Sequence, residues 1–336
     1  ILGYDILIAM QAPALEDAWA YMRISSIGFF FIMGYNALSA VLRAFGNSKS
    51  LFHFVFVATV VNIVLDILFV GYFKWGTAGA ASATVFSQFV SFMLALIYIL
   101  RQKEIFEFSI SAMKIKLNKL NMILKLGVPC AVQMTVAGVS WLTITFLVNK
   151  YGVDVSAGAG VSAKIRDFCT LFIHAMSSAA STMIAQNLGA KKFDRAKDVM
   201  YTAMKISLVA SFVIIVVVEV FSPQLVSIFT KNPVALQSGV NNLRVEIVGQ
   251  VFYAMFLIYH SLMTGAGHTW IVFMSSFTNC ILARVVLAVI LNHFFGLWGI
   301  YIACAIAPSS SVPIGYFYTK SNIWQRSLAE EKESVL

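Results

Sequence analysis

Residues 206–220 have the sequence ISLVASFVIIVVVEV, which contains a single charged side chain, Glu219, and is apolar on nearly every face of a helix. A helix of this kind is solvated by lipid rather than by water. Apolar residues make up 60% of the 336-residue chain, charged residues make up 12%, and the mean hydropathy is +0.83. Soluble domains average roughly 45–50% apolar and roughly 25% charged residues. The composition therefore excludes an ordinary soluble protein.

Nine apolar segments are long enough to cross a bilayer as helices, which requires roughly 17–25 residues. They are predicted at about residues 21–44, 51–73, 78–100, 123–148, 157–188, 196–221, 238–264, 270–292 and 297–318. Barrel strands would need only about 9–11 alternating residues, so the predicted fold class is an all-α polytopic membrane protein. Residues 1–11 are interpreted as the outer end of a further helix, and the apolar start at Ile1 as a truncation.

The Lys and Arg residues are concentrated at one set of helix ends, which the positive-inside rule assigns to the cytoplasm. These ends comprise residues 43–49, 101–125, 191–197 and 320–332, whereas Lys74, Lys150 and Lys231 lie at the opposite ends. We therefore expect a multi-pass protein of the plasma (inner) membrane with a cytoplasmic C-terminus. The basic residues lie between apolar runs rather than on one surface, so the +9 net charge does not predict nucleic-acid binding.

The two ends of the chain resemble each other at a constant offset. The matching positions are Arg23 with Arg244, Gly28 with Gly249, Gly46 with Gly267 and, one residue out of register, Gly76 and Gly79 with Gly296 and Gly299. This internal repeat predicts two lobes of six helices related by a pseudo-twofold axis, a transporter architecture. The predicted domains are an incomplete N-terminal lobe (1–100), a basic cytoplasmic connector (101–122) that is partly amphipathic, a C-terminal six-helix lobe (123–320) and a cytoplasmic tail (321–336).

Several short motifs occur in the order found in one known transporter family. They are RAFGNSK at 43–49, NIVLD at 62–66, GTAGAASAT at 76–84, QNLGAKK at 186–192 and GAGHT at 265–269. Together they resemble the loops and helices of the multidrug and toxic compound extrusion (MATE) family, closer to its DinF-like branch, with the first two helices and most of the third absent. The resemblance implies a secondary active exporter of small amphipathic cations, driven by H+ or Na+ and needing no cofactor.

Asp66 is the most informative polar residue because a carboxylate in mid-span costs roughly 2.5–3.5 kcal/mol and should face the protein interior. Asn62 lies one helical turn before it on the same face, and Thr84 lies on the next helix at comparable depth. Their oxygens could form a site for a small cation such as Na+, or Asn62 could hydrogen-bond to the protonated acid. The structural alternative is an Asp66–Asn62 hydrogen bond that holds two helices together. In the DinF-like branch, the residues that match these three form a proton- or sodium-responsive cluster.

The second lobe is predicted to lack a coupling site. The NorM-like branch of the family carries acids in the middle of its seventh and tenth helices, whereas segment 123–148 has only Gln133 and Glu246 is placed near the outer end of its helix. Lys164 and Asp167 are spaced to form an ion pair along one helix. Arg284 is interpreted as a structural charge that reaches a polar cavity or the membrane interface.

Aromatic, Met and polar side chains are the candidates for lining a substrate path, since such surfaces bind varied lipophilic cations. The candidates are Phe30, Phe31, Tyr35, Gln133, Met134, Trp141 and Phe256. No GxSxG, HExxH, Walker A or dinucleotide-binding motif is present, so no enzymatic activity is predicted. The expected partners are the lipid bilayer and small amphipathic cations, and the protein is expected to be monomeric.

Two other functions are compatible with the sequence. One is a lipid-linked oligosaccharide flippase of the related superfamily, although such proteins usually have further C-terminal helices. The other is a truncated membrane remnant or scaffold that transports nothing, which the missing front of the first lobe would explain. The genomic sequence upstream of Ile1 distinguishes a remnant from a transporter.

Overall fold

The structure is a computed structural model that describes residues 15–102 and 116–325. The chain divides into two compact units, Ile1–Lys114 and Ile115–Leu336. The described residues are almost entirely helical, which confirms the predicted all-α class. The predicted helix at residues 1–11, most of the amphipathic connector and most of the charged tail lie outside the described residues.

The first unit contains three long helices. They are α1 (Leu15–Ala44), α2 (Ser48–Asp66), which continues as a π-helical segment (Ile67–Tyr72), and α3 (Gly76–Arg101). Asn47 caps α2, because its side chain accepts a hydrogen bond from the Ser50 backbone N–H at 3.2 Å. A cluster of buried apolar side chains, including Leu42 and Ile99, lies where the three helices meet.

The second unit contains the remaining helices. They are α4 (Leu117–Asn149), α5 (Val153–Gly189), α6 (Phe193–Ser227), α7 (Pro233–Val248), α8 (Gln250–Gly265), α9 (Thr269–Phe277), a π-helical segment (Thr278–Val286), α10 (Leu287–Phe295), α11 (Leu297–Ile306), a 3-10 turn (Ala307–Ser310) and α12 (Ser311–Lys320). Helix α4 begins at Leu117, so residues 117–122 of the predicted connector are helical. The tail begins with a 3-10 turn (Ile323–Gln325) in which Trp324 is buried and donates a hydrogen bond to the Thr319 carbonyl at 3.0 Å.

The described residues contain eight helices long and apolar enough to cross a membrane, and a ninth span if α7 and α8 are counted together. These two helices are joined at Gly249 with a bend of 48°. Eight of the nine segments predicted from the sequence fall within one of these spans, and segment 51–73 extends one residue beyond Ser48–Tyr72. The sequence pattern therefore located the spans correctly but did not indicate the break at Gly249 within segment 238–264.

Helix α6 shows how an almost wholly apolar stretch is oriented. Three of its serines, Ser207, Ser211 and Ser222, are buried, whereas Phe212 and Val216 are exposed on the outer surface. This arrangement is inverted relative to soluble proteins. It is expected in lipid, where small residues permit close helix packing and large apolar residues face the acyl chains.

The predicted repeat is visible in the local geometry within each unit. Gly46 and Gly267 follow equivalent helices and have φ values of +78° and +83°. Gly76 and Gly296, which precede the next helix, have φ values of +56° and +59°. Because side chains other than glycine rarely adopt this conformation, the shared glycines mark shared turns.

The turns at Gly46 and Gly267 are also each held by a contact to a tyrosine. Asn47 Nδ2 donates a hydrogen bond to the Tyr98 hydroxyl at 2.6 Å in the first unit. In the second unit, His268 Nδ1 and the Tyr318 hydroxyl are 2.5 Å apart at the equivalent positions. Each unit thus ties the loop after one span to the second span after that loop, which supports the repeat independently of composition.

Helices α5 and α7 approach closely enough for their backbones to touch. The Ser162 hydroxyl donates a hydrogen bond to the Gly239 carbonyl at 2.6 Å. A Cβ atom added to Gly158 would overlap the Ala235 carbonyl oxygen and lie 2.8 Å from the Gly239 nitrogen. The small residues at this crossing are therefore required by the packing.

We predict that Gly158→Ala lowers the thermal stability of the purified protein, because the new methyl group must separate two backbones. Gly160→Ala is the matched control, since a Cβ there has open space within 4 Å on the same helix. Ala is favoured over Gly by roughly 0.8–1.0 kcal/mol in a helix, so the control should keep or raise the melting temperature. A Gly158→Ala protein as stable as its control would contradict the close approach.

Candidate functional site

The second unit encloses a polar cavity of about 270 Å³ between its helices. The lining residues come from α4, α5, α7, α8, α9, the π-helical segment Thr278–Val286, α11 and the 3-10 turn that follows α11. The polar and charged lining residues are Gln133, Trp141, Arg166, Asp167, Thr170, His174, Glu246, Gln250, Tyr253, Ser276, Asn279 and Arg284. A cavity with this many polar groups inside an apolar helix bundle is a candidate binding site.

Glu246 forms an ion pair with Arg166 inside this cavity. The two side chains are only 7% and 14% exposed. The prediction that Glu246 lies near the outer end of its helix is wrong, because α7 begins at Pro233 and Glu246 lies one turn before the bend at Gly249. The carboxylate is therefore in the interior of the span, where an acid needs a partner.

The predicted ion pair between Lys164 and Asp167 is not formed among the described residues. Both residues are exposed, and Arg166, which lies between them, turns inward to Glu246. Residues spaced i and i+3 can pair along a helix, but an exposed pair of this kind contributes little. Breaking the buried pair across α5 and α7 would lower the free energy of unfolding by more, because the remaining charge would be buried without a partner.

Arg284 and Arg166 both contact the ring of Trp141. Their guanidinium carbons lie 4.6 and 4.5 Å from the ring centroid, within the range of cation–π interactions. Arg284 is 5% exposed and lines the cavity, which agrees with its interpretation as a charge that reaches a polar cavity. No acidic side chain lies within 4.0 Å of it in the part of the chain that the structure describes.

Four buried side chains of the cavity lining carry a polar atom without a hydrogen-bond partner. These atoms are Gln250 Nε2, Ser276 Oγ, Asn279 Oδ1 and Arg284 Nε. Leaving buried polar groups unpaired costs roughly 1–3 kcal/mol each, and more for charged groups. Most buried polar groups in proteins are paired, so this concentration in one cavity indicates a place built to receive a ligand.

The three residues predicted for ion coupling lie in the first unit. Asp66 is the last residue of α2, immediately before the π-helical segment. Asp66 Oδ1 and Asn62 Nδ2 are both buried without a hydrogen-bond partner. The amide of Asn62 therefore does not donate to Asp66. The Thr84 hydroxyl donates to the Ala80 carbonyl of its own helix at 2.9 Å.

The residues predicted for a substrate path fall into two groups. Gln133, Trp141 and Phe256 line the cavity of the second unit, whereas Met134, the neighbour of Gln133, is 77% exposed and is not one of its lining residues. The first-unit candidates do not line a described cavity. Phe30 and Phe31 pack edge to face at 5.6 Å between ring centroids, and Tyr35 packs against the core of the unit.

We predict that Glu246→Gln destabilises the protein by about 3–5 kcal/mol, because it leaves Arg166 buried without its counter-charge. The double variant Arg166→Met with Glu246→Leu should recover most of this loss. The matched control is the exposed pair Arg244–Glu219, which is 3.7 Å apart and whose side chains are 47% and 37% exposed. Glu219→Gln should cost about 0–1 kcal/mol. Equal losses of thermal stability for Glu246→Gln and Glu219→Gln would contradict the buried pair.

Known proteins resemble this chain in both sequence and structure. Residues 129–290 match the MatE family model. The probable multidrug resistance protein YpnP of Bacillus subtilis (strain 168) is 30% identical over 319 residues, which cover 95% of this chain and 71% of YpnP.

Two solved structures, both 20% identical in sequence, share the fold. A MOP superfamily transporter from Pyrococcus furiosus has a TM-score of 0.90, with 96% of this chain and 74% of that chain covered. An outward-facing multidrug resistance MATE family transporter has a TM-score of 0.88, with 95% and 73% covered. The resemblance suggested by the sequence motifs is thereby confirmed, and the chain belongs to the MATE family.

Proposed function

We propose that this protein is a secondary active multidrug exporter that moves small amphipathic cations outward in exchange for H+ or Na+. The proposal is supported by family membership and by the name of YpnP, a probable multidrug resistance protein. It is also supported by the distribution of Lys and Arg, which favours a plasma-membrane orientation with the C-terminus in the cytoplasm. Transport proceeds by alternating access, and the working unit is the monomer.

The observation that carries the proposal is the Asp66 carboxylate in the first unit. It lies within a span of 25 residues, Ser48–Tyr72, and its Oδ1 atom is buried without a partner. A carboxylate at such a place costs free energy unless it binds a proton or a cation. Asp66 is therefore the main coupling residue, with Asn62 and Thr84 as supporting ligands.

Oxygen atoms are the ligands that hard cations prefer. The Asp66 carboxylate and the Asn62 carboxamide oxygen, which are one turn apart on α2, would supply two of them to Na+. The Thr84 hydroxyl donates its proton within α3, which leaves its oxygen lone pairs free to accept or to coordinate. The same carboxylate would instead bind H+ directly if the protein is proton-coupled.

The sign of the coupling is that of an antiporter. Binding of H+ or Na+ at Asp66 removes a buried negative charge and lets α2 and α3 repack. The loss of this charge weakens the attraction for a cationic substrate. Ion entry therefore favours release of the drug, and neither ligand needs to contact the other for this linkage.

The Asp66 substitutions test this function directly. In cells that lack their own multidrug pumps, the wild-type protein should lower ethidium retention and raise drug resistance. Asp66→Asn should abolish energised efflux while keeping folding and membrane expression, and Asp66→Glu should retain part of it. Asn62→Ala and Thr84→Ala should weaken efflux less, because each removes a supporting ligand and leaves the charge.

The control is Asp198→Asn, which removes an exposed carboxylate on α6. It should leave efflux unchanged. Normal efflux by Asp66→Asn would make Asp66 a structural residue. Unchanged dye retention and drug susceptibility in cells that express the wild-type protein, across a broad drug panel, would overturn the exporter function.

A further inference from the structure

The stripe of α6 that faces the acyl chains continues into a lysine at the basic end of the second unit. Val209, Phe212 and Val216 are spaced to lie on one face of the helix, and all three are exposed. Lys205 and Tyr201 extend the same stripe at spacings of four residues, and both are exposed. Lys205 is therefore on the lipid-facing surface, at the edge of the apolar run. An ammonium group in that position is stable only where it reaches the headgroup region or an anion.

Further tyrosines and a second lysine lie beside this stripe. Lys320, the last residue of α12, places its Nζ atom 5.8 Å from the ring centroid of Tyr316, within the range of a cation–π contact. Tyr259 of α8 packs against Gly315 of α12, where an added Cβ atom would overlap the tyrosine ring. Tyr259 is also close enough to Tyr201 and Tyr316 for the three hydroxyl groups to interact electrostatically. These contacts bring α6, α8 and α12 together at one place on the surface.

This surface carries more positive than negative charge. Neither Lys205 nor Lys320 has an acidic side chain within 4.0 Å among the described residues. The nearest acid along the α6 stripe is Asp198, two turns from Lys205 and about 10 Å away along the helix axis. Helices α8 and α12 contain no acidic residue. Ammonium groups and tyrosine hydroxyls both donate hydrogen bonds, so together they suit the oxygen atoms of a phosphate.

The apolar neighbours of the two lysines favour a phosphate that belongs to a lipid. Phe317 follows Tyr316 in α12 and is 69% exposed, and Val209 lies one turn from Lys205 and is 67% exposed. Large apolar side chains on the outside of a membrane bundle are covered by acyl chains. A free phosphate would gain nothing from them, whereas a phospholipid places its chains on these side chains and its headgroup at the lysines.

We propose that the surface formed by Tyr201, Lys205, Tyr259, Tyr316 and Lys320 is a binding site for the headgroup of an anionic phospholipid. The two lysines bind the phosphate, the exposed Tyr201 and Tyr316 donate hydrogen bonds to it, and Tyr259 joins α8 to α12. In the orientation proposed above, the lipid comes from the cytoplasmic leaflet. The site does not depend on the export function, and it adds a lipid partner of defined chemistry.

Native mass spectrometry of the purified protein in a neutral detergent resolves the binding of single lipids. The protein is titrated with phosphatidylglycerol, which is anionic, and with phosphatidylcholine of the same acyl chains, which is zwitterionic. Phosphatidylglycerol should bind about ten- to thirty-fold more tightly, because each of two lysines near an anionic headgroup contributes a factor of about five. Inorganic phosphate in large excess should not displace it.

Charge variants assign this preference to the two lysines. Lys205→Gln with Lys320→Gln should reduce the affinity ratio to about two-fold or less. Lys150→Gln with Lys231→Gln is the matched control, because it removes two exposed lysines from the opposite end of the unit. Lys150, like Lys320, lies over an aromatic ring, with 4.8 Å between its Nζ atom and the ring centroid of Phe146. The control should keep the wild-type ratio.

Removal of the hydroxyl groups should have a different signature. Tyr201→Phe with Tyr316→Phe should weaken both lipids by a similar factor, because the two headgroups share the phosphate that accepts the hydrogen bonds.

Four results would overturn the proposal. They are equal affinity of the wild-type protein for the two lipids, a ratio that survives in Lys205→Gln with Lys320→Gln, and a ratio that is lost equally in the control variant. The fourth is displacement of phosphatidylglycerol by inorganic phosphate, which would assign the surface to a free anion.

Discussion

Hydrocarbon offers no hydrogen bonds to a polar side chain, and this constraint governs how the polar residues buried in the spans are placed. Apolar side chains such as Phe212 and Val216 face outward, whereas three serines of the same helix are buried. The constraint also explains why Glu246 and Arg166 are found together, since either charge alone in the bundle would be costly. Buried polar atoms that lack a hydrogen-bond partner are therefore exceptions that require an explanation.

Each unit buries polar atoms that have no hydrogen-bond partner. The first unit buries a carboxylate oxygen, Asp66 Oδ1, without a partner, whereas the second buries a guanidinium nitrogen, Arg284 Nε. The repeat thus preserves turns and tyrosine contacts but not the charge of the buried sites.

The sequence was sufficient to predict the spans and to place Asp66 within one of them, because both depend on local composition or spacing. It placed Glu246 wrongly because the apolar pattern begins at about residue 238, whereas Asn232 caps a helix that begins at Pro233. The Arg166–Glu246 pair joins distant segments, which a single sequence does not pair.

The central claim, exchange of a drug cation for H+ or Na+, is tested most directly with purified protein in liposomes. Ethidium movement is followed while a proton gradient or a sodium gradient is imposed, each in the absence of the other. We expect transport against the ethidium gradient with one of the two ions and its immediate loss when an ionophore collapses that gradient. Ethidium transport that is the same with and without either gradient, or no transport with both, would contradict ion-coupled export.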